Sequence, residues 1–497
     1  QEKQLRTAQR AQGLTPQSHA SHSNSTSPYD TVEEERQGRT EAVIGQMRIL
    51  KAQLPHILNR FRKIPDPRNP KKIKHSLTLL MLYGLFMFVL QHASRREVNR
   101  QMTAPQFKEN LHQLFPELHE LPHADTLFRL LSQIDTDQIE QTLVDLIKRL
   151  IKRKKFHRYL INNCYPIAID GTQKMPCQTL WSASLLQRKK KSKHEDAPEA
   201  GQETADEQDD YQYYVYVLEA NLAFQNGMVI PLLSEFLEYQ QGDMENNKQD
   251  CEQRAFKRLA QRLKDYFPRL PILLLLDGLY ANGPIIAQCL KYHWQFMIVL
   301  KDNCLPSVWE EFRALLALKP QYYEQDWGIR HQQFKWVNEI EYYFGPNDRH
   351  KITLHVVTCD ETWEVINQAG QKMTKQSRHA WISSRPINRN NIHERCNLGA
   401  RHRWGIEACI LVEKHQGYHY EHCFALDWSA MKGYHYLMRL AHVFNTLTRF
   451  SKTLSEHFRQ FGIQGFFEFV YSTLTGPWLN ADEVVREMNR PFQLRMQ

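Results

Sequence analysis

Arg403, Glu407 and Lys414 are spaced so that a helix would carry an acid between two cations. Arg403 and Glu407 are i,i+4 neighbours, and Lys414, seven residues past the acid, returns to the same face after nearly two turns. A carboxylate that holds a divalent ion beside a phosphodiester needs this company, because cations seat the phosphates while the acid takes the metal. Charged helix faces also produce R-x3-E-x6-K by chance, so its weight depends on two aspartates upstream. Asp170 follows the apolar run Tyr165–Ile169 and precedes Gly171; Asp277 follows Pro271–Leu276 and precedes Gly278. Each reads as a buried strand delivering a carboxylate to its carboxyl-terminal edge. The second run has no alternation, as expected of a central strand covered on both faces. Strand-end aspartates commonly serve as turn formers or helix caps instead. Three carboxylates in one site repel each other unless a cation binds, and hard oxygen donors select Mg²⁺ or Mn²⁺.

On these motifs the chain resembles the cut-and-paste DDE transposases of bacterial insertion sequences, with Asp170, Asp277 and Glu407 looking like the D, D and E. More narrowly, the helix is similar to the Y-x2-R-x3-E-x6-K signature of the insertion-sequence-four type. Arg403, Glu407 and Lys414 match it, as does the wording Arg403-Trp404-x-Ile406-Glu407, whereas Ala400 stands at the tyrosine position. The resemblance spans roughly residues 60 to 450 and implies an RNase H-like catalytic core. It further implies two Mg²⁺ ions, with Mn²⁺ able to substitute, roughly 3.5–4 Å apart in sites of this type. Asp170, Asp277 and Glu407 would be both catalytic residues and metal ligands, Asp170 bridging. Arg403 and Lys414 would seat DNA phosphates, and Trp381 lies near the family's base-stacking tryptophan. A strand tryptophan packed in a core is the competing reading of Trp381. The implied partner is double-stranded DNA, both terminal inverted repeats and target, held by a homodimer in a synaptic complex. Two alternatives keep parts of this picture: a structure-selective nuclease or resident transposase-like protein, and a DNA-binding protein whose core has decayed.

Charge is compatible with DNA without demanding it: 64 basic against 55 acidic residues give a net +9. Seven basic side chains fall between Lys148 and Arg158, either a solvated helix end or a phosphate-tracking patch. Nine dispersed cysteines without a C-x2-C pair argue for a reduced intracellular compartment, and the resemblance implies a cytoplasmic, nucleoid-associated setting. No signal peptide is read, and the chain begins at Gln1. The longest greasy run, Leu77–Leu90, has 14 residues, short of the ~20 that span a bilayer, and reads as a buried helix. Membrane partners are not expected. His415, His419, His422, Cys423 and His435 fit no tetrahedral zinc spacing, and no G-x4-G-K-[S/T] loop supports ATP chemistry.

The expected fold class is an α/β core, an RNase H-like mixed sheet flanked by helices, with a β-rich insertion before the glutamate helix and a helical N-terminal domain. Residues 1–40 read as a disordered tail. Residues 41–155 read as helical and a candidate DNA-binding domain, in which Asp125 caps one helix of a pair that is either an ordinary hairpin or a helix-turn-helix. The catalytic core takes residues 156–318, the insertion 319–398, the remaining core with the glutamate helix 399–450, and a helical C-terminal region 451–497. Within the core, the order strand, hairpin, helix, strand, helix, strand is expected, the hairpin turning at Asn226-Gly227. Gln187–Asp210, a basic cluster followed by eight acids, reads as a mobile surface loop.

Overall fold

The computed structural model describes residues 27–118, 120–189, 211–238, 251–367 and 371–497. Among these, six α-helices precede the first strand: α1 (Val32–Phe61), α2 (Leu77–Val89), α3 (Arg95–Gln101), α4 (Pro105–Leu114), α5 (Ala124–Leu131) and α6 (Asp137–Lys152). Helix α1 corrects the end of the expected tail by beginning well before residue 41, while residues 1–26 of that tail lie outside the described residues. Its start is fixed by the Thr31 hydroxyl, which accepts from the Glu34 N–H at 3.2 Å, and by three glutamates at its positive end. The Arg39 guanidinium then lies 4.4 Å over the rings of both Phe469 and Trp478. The greasy run is α2, buried along its length except at Thr78. The cap of α5 is His123, whose Nδ1 accepts from the Asp125 N–H at 3.2 Å, so Asp125 sits in the first turn rather than at the cap. Helix α6 is a packed helix: it buries Ile139, Leu143, Ile147 and Leu150, and its Asp145 pairs with Arg60 of α1 at 2.7 Å. Part of the basic run that follows is structural, because Lys155 and Arg158 donate to the Leu494 and Met496 carbonyls at 2.5 Å.

The sheet strands are β1 (Tyr165–Cys177), β2 (Leu186–Lys189), β3 (Tyr211–Ala223), β4 (Val229–Phe236), β5 (Ile272–Leu276) and β6 (Gln295–Val299), then β7 (Tyr322–Trp327), β8 (Arg330–Phe344), β9 (His350–Ile366) and β10 (Lys372–Ser383). Helices α7 (Glu252–Tyr266), α8 (Gly283–Lys291) and α9 (Pro306–Leu318) follow β4, β5 and β6. After β10 come α10 (Trp404–His415), α11 (Trp428–Arg449), α12 (Ser455–Thr475) and α13 (Ala481–Asn489). The strands form one mixed sheet in the order β2-β3-β1-β5-β6-β10-β9-β8-β7, with β4 on β3. Only β1–β5 and β5–β6 are parallel among the described pairings. The Asn226-Gly227 turn forms as expected, Gly227 adopting φ +80°.

Two features differ from the sequence reading. The β-rich insertion is continuous with the core sheet, because Trp381–Ser383 of β10 pair antiparallel with Val299–Met297 of β6. Residues 187–189 of the charged stretch lie in the edge strand β2 on β3, while the rest of it, 190–210, lies outside the described residues.

Strand β5 explains how one run serves two cores. Ile272, Leu274 and Leu276 join the core shared with α2, α6 and α11, whereas Leu273 and Leu275 join a second core with Ile406 and Ile410 of α10. Helix α11 is the spine of the first core, running against α2 and α6 and against β4. Its approach to α2 is close: a Cβ on Gly84 would lie 2.7 Å from a Leu437 methyl. The glutamate helix α10 thus packs on the face that carries Leu273 and Leu275, opposite the one that carries Ile272, Leu274 and Leu276. All nine cysteines are free, and no described helix is long and apolar enough to cross a membrane.

Candidate active site

Strand alternation determines where the aspartates point. Ala168 of β1 and Leu275 of β5 both belong to the α10-side core. Positions 170 and 277, each two residues on, therefore project from that same face. Strand β1 pairs with β5 up to Ala168↔Leu275 and then continues alone with β3. Asp170 is thus not at the end of its own strand, as expected, but just beyond the end of its parallel pairing. Gly171 carries the strand onward where no side chain fits, since a Cβ there would lie 2.7 Å from both the Tyr216 hydroxyl and the Glu252 carboxyl carbon. Asp277 ends β5, and its Oδ1 caps a short turn by accepting from the Leu279 N–H at 2.8 Å.

Glu407 enters from α10, one turn beyond Arg403. The Arg403 Nη2 donates to Glu407 Oε1 at 2.8 Å, with the arginine side chain only 8% exposed. Burial pushes the Asp170 carboxyl up to about 6; the Arg403 cation opposes that shift, and the Glu407 and Asp277 carboxylates reinforce it. All three acids and Arg403 therefore share one electrostatic site. Three carboxylates against one buried guanidinium leave net negative charge, and an all-oxygen donor set suits Mg²⁺ or Mn²⁺. Their oxygens are not gathered as tightly as a bound ion would require; among the described residues, the ligand atoms that lie within 4.8 Å of one another belong to Cys409, Glu413 and His442. That buried trio is already neutralised. Arg439 Nη1 sits 3.1 Å from Glu413 and His442 Nδ1 sits 2.6 Å from it, so a cation there would meet a guanidinium. Arg439 also pairs with Glu219 of β3 at 3.1 Å, tying α10 through α11 to the sheet.

The other expected contacts fare differently. Lys414 is on α10 but pairs with Glu421 at 3.0 Å and is mostly covered. Arg403 is buried against the acids rather than presented to solvent as a phosphate seat. Trp381 is corrected to a core residue: it is 3% exposed, stacked on His379 at 5.5 Å and packed in the α10-side core. The exposed indole beside the acids is Trp404, 63% accessible, with the Arg403 guanidinium 4.9 Å from its ring. Ala400, at the tyrosine position, is buried in that core as well.

Sequence reasoning missed two neighbours. Glu252, in the first turn of α7, accepts from the Tyr216 hydroxyl at 2.5 Å and the Tyr280 hydroxyl at 3.2 Å, placing a fourth carboxylate against Gly171. Lys301 Nζ lies 3.7 Å from Asp277 Oδ2. A charged residue just past an apolar strand, as at Asp170 and Asp277, was the available signal for Lys301.

The family model described as DDE_Tnp_1-associated matches residues 58–147, the stretch from the end of α1 into α6. This gives the chain a DDE-type transposase context. No curated protein matches it.

Proposed function

We propose that the chain is a DDE transposase of the insertion-sequence-four-like type, which cleaves the ends of a DNA element and joins them to target DNA in a metal-dependent reaction. One observation carries this reading. Two aspartates stand just beyond the pairing of two adjacent parallel strands, and a helix bearing an arginine-paired glutamate packs on the same sheet face. The strand order β4-β3-β1-β5-β6, antiparallel on one side of β1 and parallel on the other, supports an RNase H-like core. The transposase-associated match in the N-terminal helices is independent of these residues.

Asp170, Asp277 and Glu407 would hold Mg²⁺, or Mn²⁺ in its place, and the ions when bound would activate the attacking oxygen and stabilise the leaving one. Arg403 has two tasks in this scheme: it holds Glu407 toward the aspartates and offsets part of their mutual repulsion. Lys414 seats a flanking phosphate by exchanging the half-exposed Glu421 for DNA. The DNA ends are terminal inverted repeats, and two copies of the chain bring both ends together.

The test is Asp277→Asn with duplexes taken from the flanks of the gene. The expected result is loss of Mg²⁺-dependent cleavage and strand transfer with DNA binding retained. Cleavage at the wild-type rate by this variant would refute the assignment.

A further inference from the structure

We propose that Lys301 is a second working cation of this site: its ammonium pairs with Asp277 in the free protein and moves to a substrate phosphate when a divalent ion takes the carboxylates. This inference rests on the phosphodiester-processing reading above. Lys301 lies two residues past the end of β6, which runs parallel to β5, so three neighbouring strands send Asp170, Asp277 and Lys301 to one sheet edge.

The root of this lysine is fixed and its tip is largely solvent-exposed. Its carbonyl accepts from the Trp309 indole at 3.1 Å and from the Cys304 N–H at 3.0 Å. Its stem crosses Gly278, where a Cβ would lie 2.9 Å from Cγ, Cδ and Cε. A residue without a side chain beside Asp277 thus lets the stem lie flat and aims the ammonium at the acid. The ammonium stays 3.7 Å from Asp277 Oδ2, and the side chain is 56% exposed. An ion pair that exposed and that long is weak. A divalent ion entering the carboxylates would displace it by direct competition for the same oxygen. The released ammonium would then stand at the rim of a site whose substrate is a polyanion.

Lys301→Met keeps the stem over Gly278 and removes the charge, and its exposure lets the variant fold. Mn²⁺ binding to the full chain, followed by calorimetry, is expected to tighten several-fold because a competing cation has gone. DNA binding is expected to weaken, with the slope of log K against log salt reduced by about 0.9. Lys301→Arg is expected to restore the slope. Unchanged Mn²⁺ affinity, or an unchanged salt slope, overturns the proposal while the wild type still binds metal and DNA. If the wild type binds neither, the site reading falls first and the role of Lys301 falls with it.

Discussion

Asp170 and Asp277 each stand two residues beyond Ala168 and Leu275, the last positions at which β1 and β5 pair with each other. The register between β1 and β5 therefore specifies the site. A slip of one residue would turn one aspartate to the opposite sheet face and leave the other with α10. Residues that hold this register belong to the site as much as those that hold charge.

Gly171 is one of them. Its Cβ position is taken by Tyr216 and by Glu252, which are hydrogen-bonded to each other. An aromatic ring wedged between strand and helix gives way poorly. Gly171→Ala is expected to cost about 1–3 kcal/mol, read from the midpoint of urea unfolding. It should also lower cleavage more than stability alone explains, because the strain falls on the residue next to Asp170.

The indole of Trp381 is the second test, since core packing and base stacking make opposite demands. Trp381 is buried between His379 and the α10-side core. Trp381→Ala should cost about 3–5 kcal/mol of stability. DNA affinity per folded molecule, measured by anisotropy with the folded fraction determined alongside, should stay unchanged. A stable variant with weakened DNA binding would restore the stacking role.

Much of this was legible in the sequence wherever the signal was local. The all-apolar β5 run announced a strand covered twice, and the two cores that divide its residues by parity are the physical content of that pattern. The Asn226-Gly227 hairpin and the buried α2 helix were equally local. What escaped was non-local. Nothing near Trp381 says that β10 pairs with β6, more than 80 residues earlier, and joins the insertion to the core sheet. Spacing alone made Arg403 a phosphate seat; burial makes it a partner of the acids. Glu252 carries no local signal in the sequence, because Tyr216 of β3 and Tyr280 of the turn after β5 meet it only in the fold.

Acid should unfold the protein in two overlapping windows. Burial pushes His92 down to about 4 against a weaker pull from Glu97, and His435 to about 4 against Glu219. Unfolded histidines titrate near 6.5, so between about 6.5 and 4 the unfolded chain binds more protons and stability falls as pH falls. Glu219 is buried, which would raise it, yet Arg439 and His435 hold it down at about 2. Its contribution is present above the unfolded value near 4.5 and is lost below that. Glu140, which burial pushes up to about 7 against Arg262, works in the opposite sense as pH rises from about 4.5 to 7. His92→Phe isolates one component, because the ring contact with Tyr471 survives the change. Relative to wild type, the variant should flatten the loss between pH 6.5 and 4 by about 2–3 kcal/mol, followed by thermal melts across that range.

The last prediction concerns how the insertion governs the glutamate helix. Glu361 of β9 is fully buried and takes ion pairs from Arg330 at 2.7 Å and from Arg401, with further donors from Gln332 and from Ser377 at 3.2 Å. Burial alone would raise this carboxyl, but His379, Gln332 and Arg401 hold it well below the usual carboxylate range. Arg401 lies two residues before Arg403 and six before Glu407, so the buried Glu361 charge is one grip of the insertion on the entry to α10, beside the Gln332 bonds to Asn397 at 2.8 and 3.1 Å. Glu361→Gln turns an amide toward two guanidinium groups and should cost about 3–5 kcal/mol. Hydrogen exchange over residues 395–407 should rise while the β8–β9 amides stay protected. Uniform protection in both segments would mean that the Glu361 charge does not hold α10, and that the Gln332–Asn397 bonds, the apolar packing of Ile406 and Ile410 and the Arg439–Glu413 pair suffice.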